Sequence, residues 1–136
     1  MTLLTTYAMR YIDRPYIWGG DGTVDKFFGF DCSGLVLKCL WDLKIYDGPD
    51  ITAEGIRKWC KSSGWIQVKK NDLQDGDLIF YGKSSVSHVS IALGDGLMIE
   101  AGGGTSLCKD LQTSTGCVRI EKVDRRKDFL CAYRRK

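Results

Sequence analysis

The chain has 136 residues, the usual size of one folded domain, so we expect a single domain over residues 1–136. Hydrophobic residues make up 43% of the chain and charged residues 27%, which excludes a disordered chain, and no apolar run approaches the roughly 20 residues of a membrane-spanning helix. Membrane insertion is therefore not expected. The net charge of +3 is not accompanied by a nucleic-acid-binding motif, so nucleic-acid binding is not expected either.

Helices are predicted in the first half of the chain. Apolar residues at helical spacing indicate a first helix over residues 3–13, which must end before Pro15 because the residue preceding a proline avoids the helical region. A glycine-rich loop follows, and a buried helix is predicted over residues 32–43. A third helix is expected to begin after Thr52, a favourable N-cap, and to run to residue 61.

Short β-rich segments separated by glycine and polar turns occupy the second half of the chain. The predicted strands are Asp77–Tyr81, His88–Leu93, Leu97–Ala101, Val118–Val123 and Phe129–Arg134. Helices followed by antiparallel strands indicate an α+β fold, with the N-terminal helices packed on one side of a sheet of about five to six strands.

The six cysteines are expected to be reduced thiols. The N-terminus lacks the pattern of a secretory signal, which predicts a protein made in the cytoplasm without a signal peptide. No pair of cysteines has C-x-x-C spacing and the chain contains one histidine, so neither a structural metal site nor a cofactor is expected.

Cys32 lies where the glycine-containing loop turns into the second helix. Exposed N–H groups and the positive end of the helix dipole stabilise a negative charge there, so a thiolate at this position is favoured. The small neighbours Ser33 and Gly34 would allow a peptide to approach the sulfur. Cys32 is therefore a candidate nucleophile, and the alternative is one more buried thiol.

His88 is the single histidine of the chain and the one residue that could supply the imidazole that a cysteine hydrolase needs. It opens an alternating strand in which Ser90 and Ala92 share its face, and these small residues leave room for a cleft. The alternative for a lone histidine is a structural role.

Glu100 is the candidate for the third group, which would orient the imidazole. If the hairpin loop consists of the three residues 94–96, Ser90 pairs with Glu100, and Glu100 then lies on the face of His88. A two-residue loop at Asp95-Gly96 would shift the register by one and turn Glu100 to the opposite face. An exposed strand carboxylate without a catalytic role is the other interpretation.

Together these motifs resemble the NlpC/p60-type family of papain-like cell-wall cysteine peptidases, over nearly the whole chain. The matching segments are a PYxWGG loop (Pro15–Gly20), an unbroken DCSGLV motif (Asp31–Val36), a GDLxFF-like strand (Gly76–Tyr81), a hairpin (His88–Ala101) and the closing Ala132–Arg135. The first four of these segments are ordered motifs with consistent spacing, which makes the resemblance specific.

The resemblance implies a papain-like α+β fold and hydrolysis of stem-peptide bonds in bacterial peptidoglycan, commonly between D-glutamate and the diamino acid that follows. It implies that Cys32 attacks the carbonyl, that the Tyr16 hydroxyl joins the Cys32 N–H in an oxyanion site, and that Asp31 and Ser33 line a subsite for the amino end of the stem. The third catalytic position, usually histidine, is Glu100 here. A carboxylate there would raise the pKa of His88 and move the activity profile to higher pH.

Two other functional interpretations stay open. One is a catalytically inactive structural or binding module of a phage tail, and the other is an amidase or acyl transferase that uses the same Cys32–His88 pair. The favoured context is a phage lysin, a virion-associated enzyme or a delivered effector that acts at the bacterial cell wall. The partner is then the peptidoglycan stem, and the protein is expected to be a monomer or part of a virion or delivery assembly.

Overall fold

Three α-helices precede most of the sheet in the computed structural model, which describes residues 1–136. They are α1 (Leu3–Met9), α2 (Cys32–Asp42) and α3 (Ala53–Ser62). The starts of α2 and α3 confirm the predictions, and the Thr52 hydroxyl accepts the N–H of Gly55 as an N-cap. The predicted end of α1 near Asp13 was wrong, because i→i+3 hydrogen bonds tighten the chain into turns directly after Met9.

The strands form one antiparallel sheet. They are β1 (Ile66–Val68), β2 (Leu78–Tyr81), β3 (His88–Gly94), β4 (Leu97–Gly102), β5 (Cys117–Lys122) and β6 (Phe129–Arg134). Their spatial order is β1-β6-β2-β3-β4-β5. The five predicted strands are present, and the sixth, β1, is a three-residue edge strand that pairs with β6.

The core lies between the helices and one face of the sheet. A cluster of 23 buried residues joins side chains of α1, α2 and α3 to β2, β3 and β4, whereas the cluster on the opposite face has five. This asymmetry confirms the α+β fold with helices on one side of an antiparallel sheet. None of the helices is both long enough and apolar enough to cross a lipid bilayer.

Candidate active site

A cavity of about 410 Å³ brings the predicted chemical groups together. Its walls include Cys32 from α2, His88 from β3, Glu100 from β4 and Tyr16 from the glycine-rich loop. These groups come from four separate parts of the chain, and the packing of α2 against β3 and β4 places them around one opening. Four of the six candidate site residues thus line one cavity.

Cys32 is the first residue of α2, and the local sequence explains why the helix begins there. The Asp31 carboxylate is the N-cap: one oxygen accepts the N–H of Gly34 at 2.7 Å, and the other accepts the N–H of Gly19 at 3.1 Å. Gly34 is required because a Cβ at this position would overlap with the carbonyl oxygen of Gly20. The N–H of Cys32 has no acceptor within the helix. It is therefore free to donate a hydrogen bond, and it adds to the positive end of the helix dipole.

His88 is 6% exposed and lies between the sulfur and a carboxylate. Its Nε2 is 2.8 Å from Glu100 Oε1, so Nδ1 is the ring nitrogen that the carboxylate leaves free. Burial by itself would lower the pKa of His88. The hydrogen bonds and negative charges of Cys32 and Glu100 outweigh it and raise that pKa to about 9, in line with the expectation for a carboxylate at the third position.

The turn between β3 and β4 is the shorter of the two that the sequence allows. Gly94 pairs with Leu97, so the loop is the two residues Asp95-Gly96 rather than three. Both turn residues have positive φ angles, 55° and 77°, as in type I′ hairpins. A two-residue turn alone would direct Glu100 away from the face of His88.

A β-bulge in β3 returns Glu100 to the face of the sheet that carries His88. The register shifts between Ala92 and Gly94, which inserts one extra residue into β3, so Ala92 pairs with Met98. Beyond the bulge the register is the one that the three-residue loop would have produced. Glu100 therefore reaches His88 although the loop has two residues.

Arg119 on β5 is the site residue that the sequence analysis missed. It lies directly opposite Glu100: its Nε donates to Glu100 Oε2 at 3.0 Å, and its Nη2 lies 2.9 Å from the same oxygen as an ion pair. Burial would raise the pKa of Glu100, but its bonds to His88 and Arg119 hold that pKa below its usual range. The carboxylate is thus ionised and fixed at both oxygens. A buried carboxylate needs a cationic partner, and this requirement was the available signal for Arg119.

Tyr16 lines the cavity beside Cys32. Burial raises the pKa of its hydroxyl, and the negative charges of Cys32 and Asp31 raise it further. This hydroxyl has no hydrogen-bond partner in the protein. The ring is packed against Gly104, where a Cβ would overlap with it. A phenol fixed in this way keeps its proton and is free to donate to a ligand.

Asp31 and Ser33 lie beside Cys32, outside the cavity wall. The Ser33 hydroxyl donates to Asp31 Oδ1 at 3.3 Å, and burial raises the pKa of Asp31 against the effect of its three hydrogen bonds. The structure thus shows both residues in the N-cap of α2. Their predicted role as a subsite for an amino group stays a prediction.

The arrangement is suited to thiol chemistry. A thiol, an imidazole and a buried carboxylate line one cavity, and the carboxylate is hydrogen-bonded to both the imidazole and a guanidinium. No group of three or more His, Cys, Asp or Glu side chains in the structure is placed to hold a metal ion.

The protonation of His88 provides a direct check of this geometry. Because His88 is the one histidine in the chain, its ring-proton NMR resonances can be followed without ambiguity. We expect a titration midpoint of about 9, and a lower midpoint in Cys32→Ala because the thiolate that stabilises the imidazolium is removed. A midpoint near the ordinary value of 6.5 in the unmodified protein would contradict the contact.

Known proteins are similar to this chain over most of its length. A model described as the NlpC/P60 family matches residues 13–121. The gamma-D-glutamyl-L-lysine dipeptidyl-peptidase of Bacillus cereus is 39% identical over 103 residues, covering 73% of this chain and 27% of that protein. The peptidoglycan endopeptidase RipA of Mycolicibacterium smegmatis is 34% identical over 111 residues, covering 69% of this chain and 19% of that protein.

A solved structure matches along nearly the whole chain. The NlpC/p60 domain of the peptidoglycan hydrolase SagA superposes with a TM-score of 0.69 at 25% identity, covering 98% of this chain and 97% of that one. The chain thus has the extent of that single domain, and it spans less than a third of the length of the two curated relatives.

Proposed function

The chain belongs to the NlpC/P60 family, and from that premise we propose that it is a cysteine peptidase that hydrolyses stem-peptide bonds of bacterial peptidoglycan. Cys32 is the nucleophile, His88 the proton donor and acceptor, and Glu100 the group that orients the imidazole. The observation that carries this proposal is that Cys32, His88 and Glu100 line one cavity, in which His88 Nε2 lies 2.8 Å from Glu100 Oε1.

The proposed reaction begins with a thiolate–imidazolium pair. The sulfur of Cys32 attacks the scissile carbonyl, and the oxyanion accepts hydrogen bonds from the Cys32 N–H and the Tyr16 hydroxyl. His88 then gives its Nδ1 proton to the leaving amine, and a thioester remains on Cys32.

Water completes the cycle. Neutral His88 takes a proton from a water molecule that attacks the thioester, and collapse of the intermediate releases the acid and the thiolate. The proton stays on the imidazole, so the starting pair is restored. The hydrogen bond between Glu100 and His88 Nε2 is kept throughout the cycle, so Nδ1 is the nitrogen that gives and takes the proton in each step.

The proposed scissile bond joins D-glutamate to the diamino acid that follows. The name of the Bacillus cereus relative specifies a gamma-D-glutamyl-L-lysine bond, and RipA is named a peptidoglycan endopeptidase. Asp31 and Ser33 are proposed to border the subsite for the amino end of the stem. Both are partly exposed next to Cys32, although Asp31 also caps α2.

The two alternatives make different use of the same geometry. An inert module of a phage tail would have no need for an imidazole held between a sulfur and a buried carboxylate, so the site favours an enzyme. An amidase or acyl transferase could use the same three groups, and the products distinguish it. The phage origin, the monomeric state and a place in a virion or delivery assembly stay predictions.

The released products test the proposed function. Purified protein incubated with sacculi and with defined muropeptides is expected to release fragments that end at D-glutamate and fragments that begin with a free amine on the diamino acid. Mass spectrometry identifies both ends. Intact stems separated from the sugar would indicate an amidase instead, and no release from either substrate would remove the peptidase proposal.

A further inference from the structure

Two phenylalanines at the tip of the glycine-rich loop are exposed on a strained part of the backbone. Phe27 and Phe28 leave 42% and 49% of their surface open to solvent, and neither packs against the hydrophobic core. Both have positive φ angles, 56° and 55°, in the left-handed region that bulky side chains disfavour. Strained residues of this kind are concentrated at functional sites, so the pair is a candidate for ligand binding.

Backbone hydrogen bonds fix the conformation of this tip. The N–H of Phe27 donates to the carbonyl of Val24 at 3.0 Å, and the N–H of Phe28 donates to the carbonyl of Thr23 at 2.9 Å. An antiparallel bridge closes the base of the loop, residues 21–30. The backbone that carries the two rings is therefore already ordered before a ligand binds, which lowers the entropic cost of binding.

The loop begins and ends beside the catalytic cavity. Trp18, which lines the cavity, precedes the loop, and Cys32 follows it. The N–H of Gly19 donates to Asp31, the residue proposed to border the subsite for the amino end of the stem. The Lys26 ammonium lies 3.9 Å from the position that a Cβ on Gly19 would take. The tip is therefore connected to the side of the cleft that is proposed to hold the amino end of the stem.

The distance from Cys32 to the tip matches the length of the substrate. Phe28 is four residues from Cys32, so their Cα atoms are at most about 14 Å apart. In peptidoglycan the amino end of the stem is joined to a sugar of the glycan strand, two amino acids before the proposed scissile bond. Two extended residues and the linking group span roughly 10 Å. A sugar on the bound stem thus comes within reach of the two rings.

The chemistry of the tip suits a sugar. The C–H bonds on one face of a sugar ring pack against the negative face of an aromatic ring. Donors for sugar oxygens are close: the Arg14 guanidinium lies 5.7 Å from the centre of the Phe28 ring, and Lys26 is exposed beside Phe27. The tip also carries the carboxylate of Asp25, which balances Lys26 and disfavours contact with anionic lipids.

We propose that Phe27 and Phe28 form a subsite for a sugar ring of the glycan strand to which the stem is attached. This inference rests on the proposed function, since it takes peptidoglycan as the ligand, and it extends the bound substrate beyond the stem peptide. A stem that is still joined to its sugar is then bound more tightly than a free stem.

Binding to a non-hydrolysing protein tests the subsite. The probes are a stem peptide linked to its disaccharide, the same stem peptide without sugar, and vesicles of phosphatidylglycerol. Calorimetry with Cys32→Ala is expected to show about 10-fold tighter binding of the sugar-linked stem, on the scale of two aromatic contacts. In Cys32→Ala/Phe27→Asn/Phe28→Asn this preference is expected to disappear, while the affinity for the free stem is unchanged. Asparagine removes the rings but tolerates the left-handed backbone.

A matched control replaces an exposed apolar residue elsewhere. Ile66 is 51% exposed but lies on the edge strand β1, away from the cavity. Cys32→Ala/Ile66→Thr is expected to keep the preference for the sugar-linked stem. Circular dichroism verifies that the variants are folded. If the double replacement at the tip prevents folding, Phe27→Asn and Phe28→Asn are tested singly in Cys32→Ala, and each is expected to lower the preference about 3-fold.

Each result decides the question. Equal binding of the two peptides to Cys32→Ala, binding of neither, or a preference retained without the rings would overturn the subsite. Vesicle binding that depends on the rings, without a preference for the sugar, would also overturn it and would identify the tip as a membrane contact. If the unmodified protein hydrolyses neither peptide but the sugar preference follows the rings, the proposed reaction fails and the subsite stands. Hydrolysis of both peptides with equal affinity would keep the reaction and remove the subsite.

Discussion

Replacing Cys32 with alanine is expected to lower the rate of stem-peptide hydrolysis by about 10⁴-fold or more, the scale seen when the nucleophile of a catalytic triad is removed. No other thiol can substitute for it, since of the six cysteines Cys32 alone lines the cavity. Alanine is also a good residue for the first turn of a helix, so the Asp31 cap should remain. The free energy of unfolding should change by less than about 1 kcal/mol.

Release of labelled fragments from sacculi measures the rate, and thermal unfolding measures the stability. Cys131→Ala is the matched control, because Cys131 is also a half-buried thiol but lies on β6, outside the cavity. It should retain activity. Substantial hydrolysis by Cys32→Ala, at a rate above 1% of the unmodified protein, would contradict the nucleophilic role.

Cys32 and His88 could be predicted because their signals are local. A glycine-containing loop followed by cysteine, small residues and an apolar helical period marks the start of a helix whatever the rest of the chain does, and the structure has that helix start at Cys32. His88 was the single available imidazole, so no choice among candidates was needed. The family resemblance was carried by the same local motifs, and the family match confirms it.

Glu100 reaches the face of His88 by a route that neither of the two possible loops would have given alone. The sequence allowed a three-residue loop, which puts Glu100 on the face of His88, or a two-residue loop, which puts it on the opposite face. The structure has the two-residue turn but, beyond the bulge, the strand register of the three-residue loop. The bulge responsible occupies Leu93-Gly94, and alternating hydrophobicity carries no marker for an inserted residue. Gly94, with φ of 91°, is the one sequence feature that permits it.

The role of Arg119 could not be predicted from the sequence, because its contact with Glu100 depends on the pairing of two strands that are distant in the chain. A connection of 14 residues, 103–116, separates β4 from β5, and nothing in its sequence indicates which residue of β5 will oppose Glu100. The edge strand β1 was missed for a related reason. Three residues are too few to show alternation, and β1 is defined by its pairing with β6 at the other end of the chain.

Replacing Glu100 with glutamine is expected to lower kcat by about 10²- to 10⁴-fold, as in other triads that lose the acidic member. Glutamine keeps the shape of the side chain but removes the charge that helps to raise the pKa of His88 to about 9. The imidazolium then loses its proton at lower pH. The alkaline limb of the pH–rate profile should therefore move downward, toward neutral pH.

Two further variants separate charge from structure in this prediction. Glu100→Asp keeps the charge but shortens the side chain that reaches both His88 and Arg119, so we expect a fall of about 10-fold in kcat with little movement of the alkaline limb. Glu54→Gln breaks the Glu54–Arg57 ion pair on α3, away from the cavity, and should leave the rate and its pH dependence unchanged. If Glu100→Gln lost activity equally at every pH, Glu100 would be acting through the fold alone, because only a charge beside the imidazole can shift that limb.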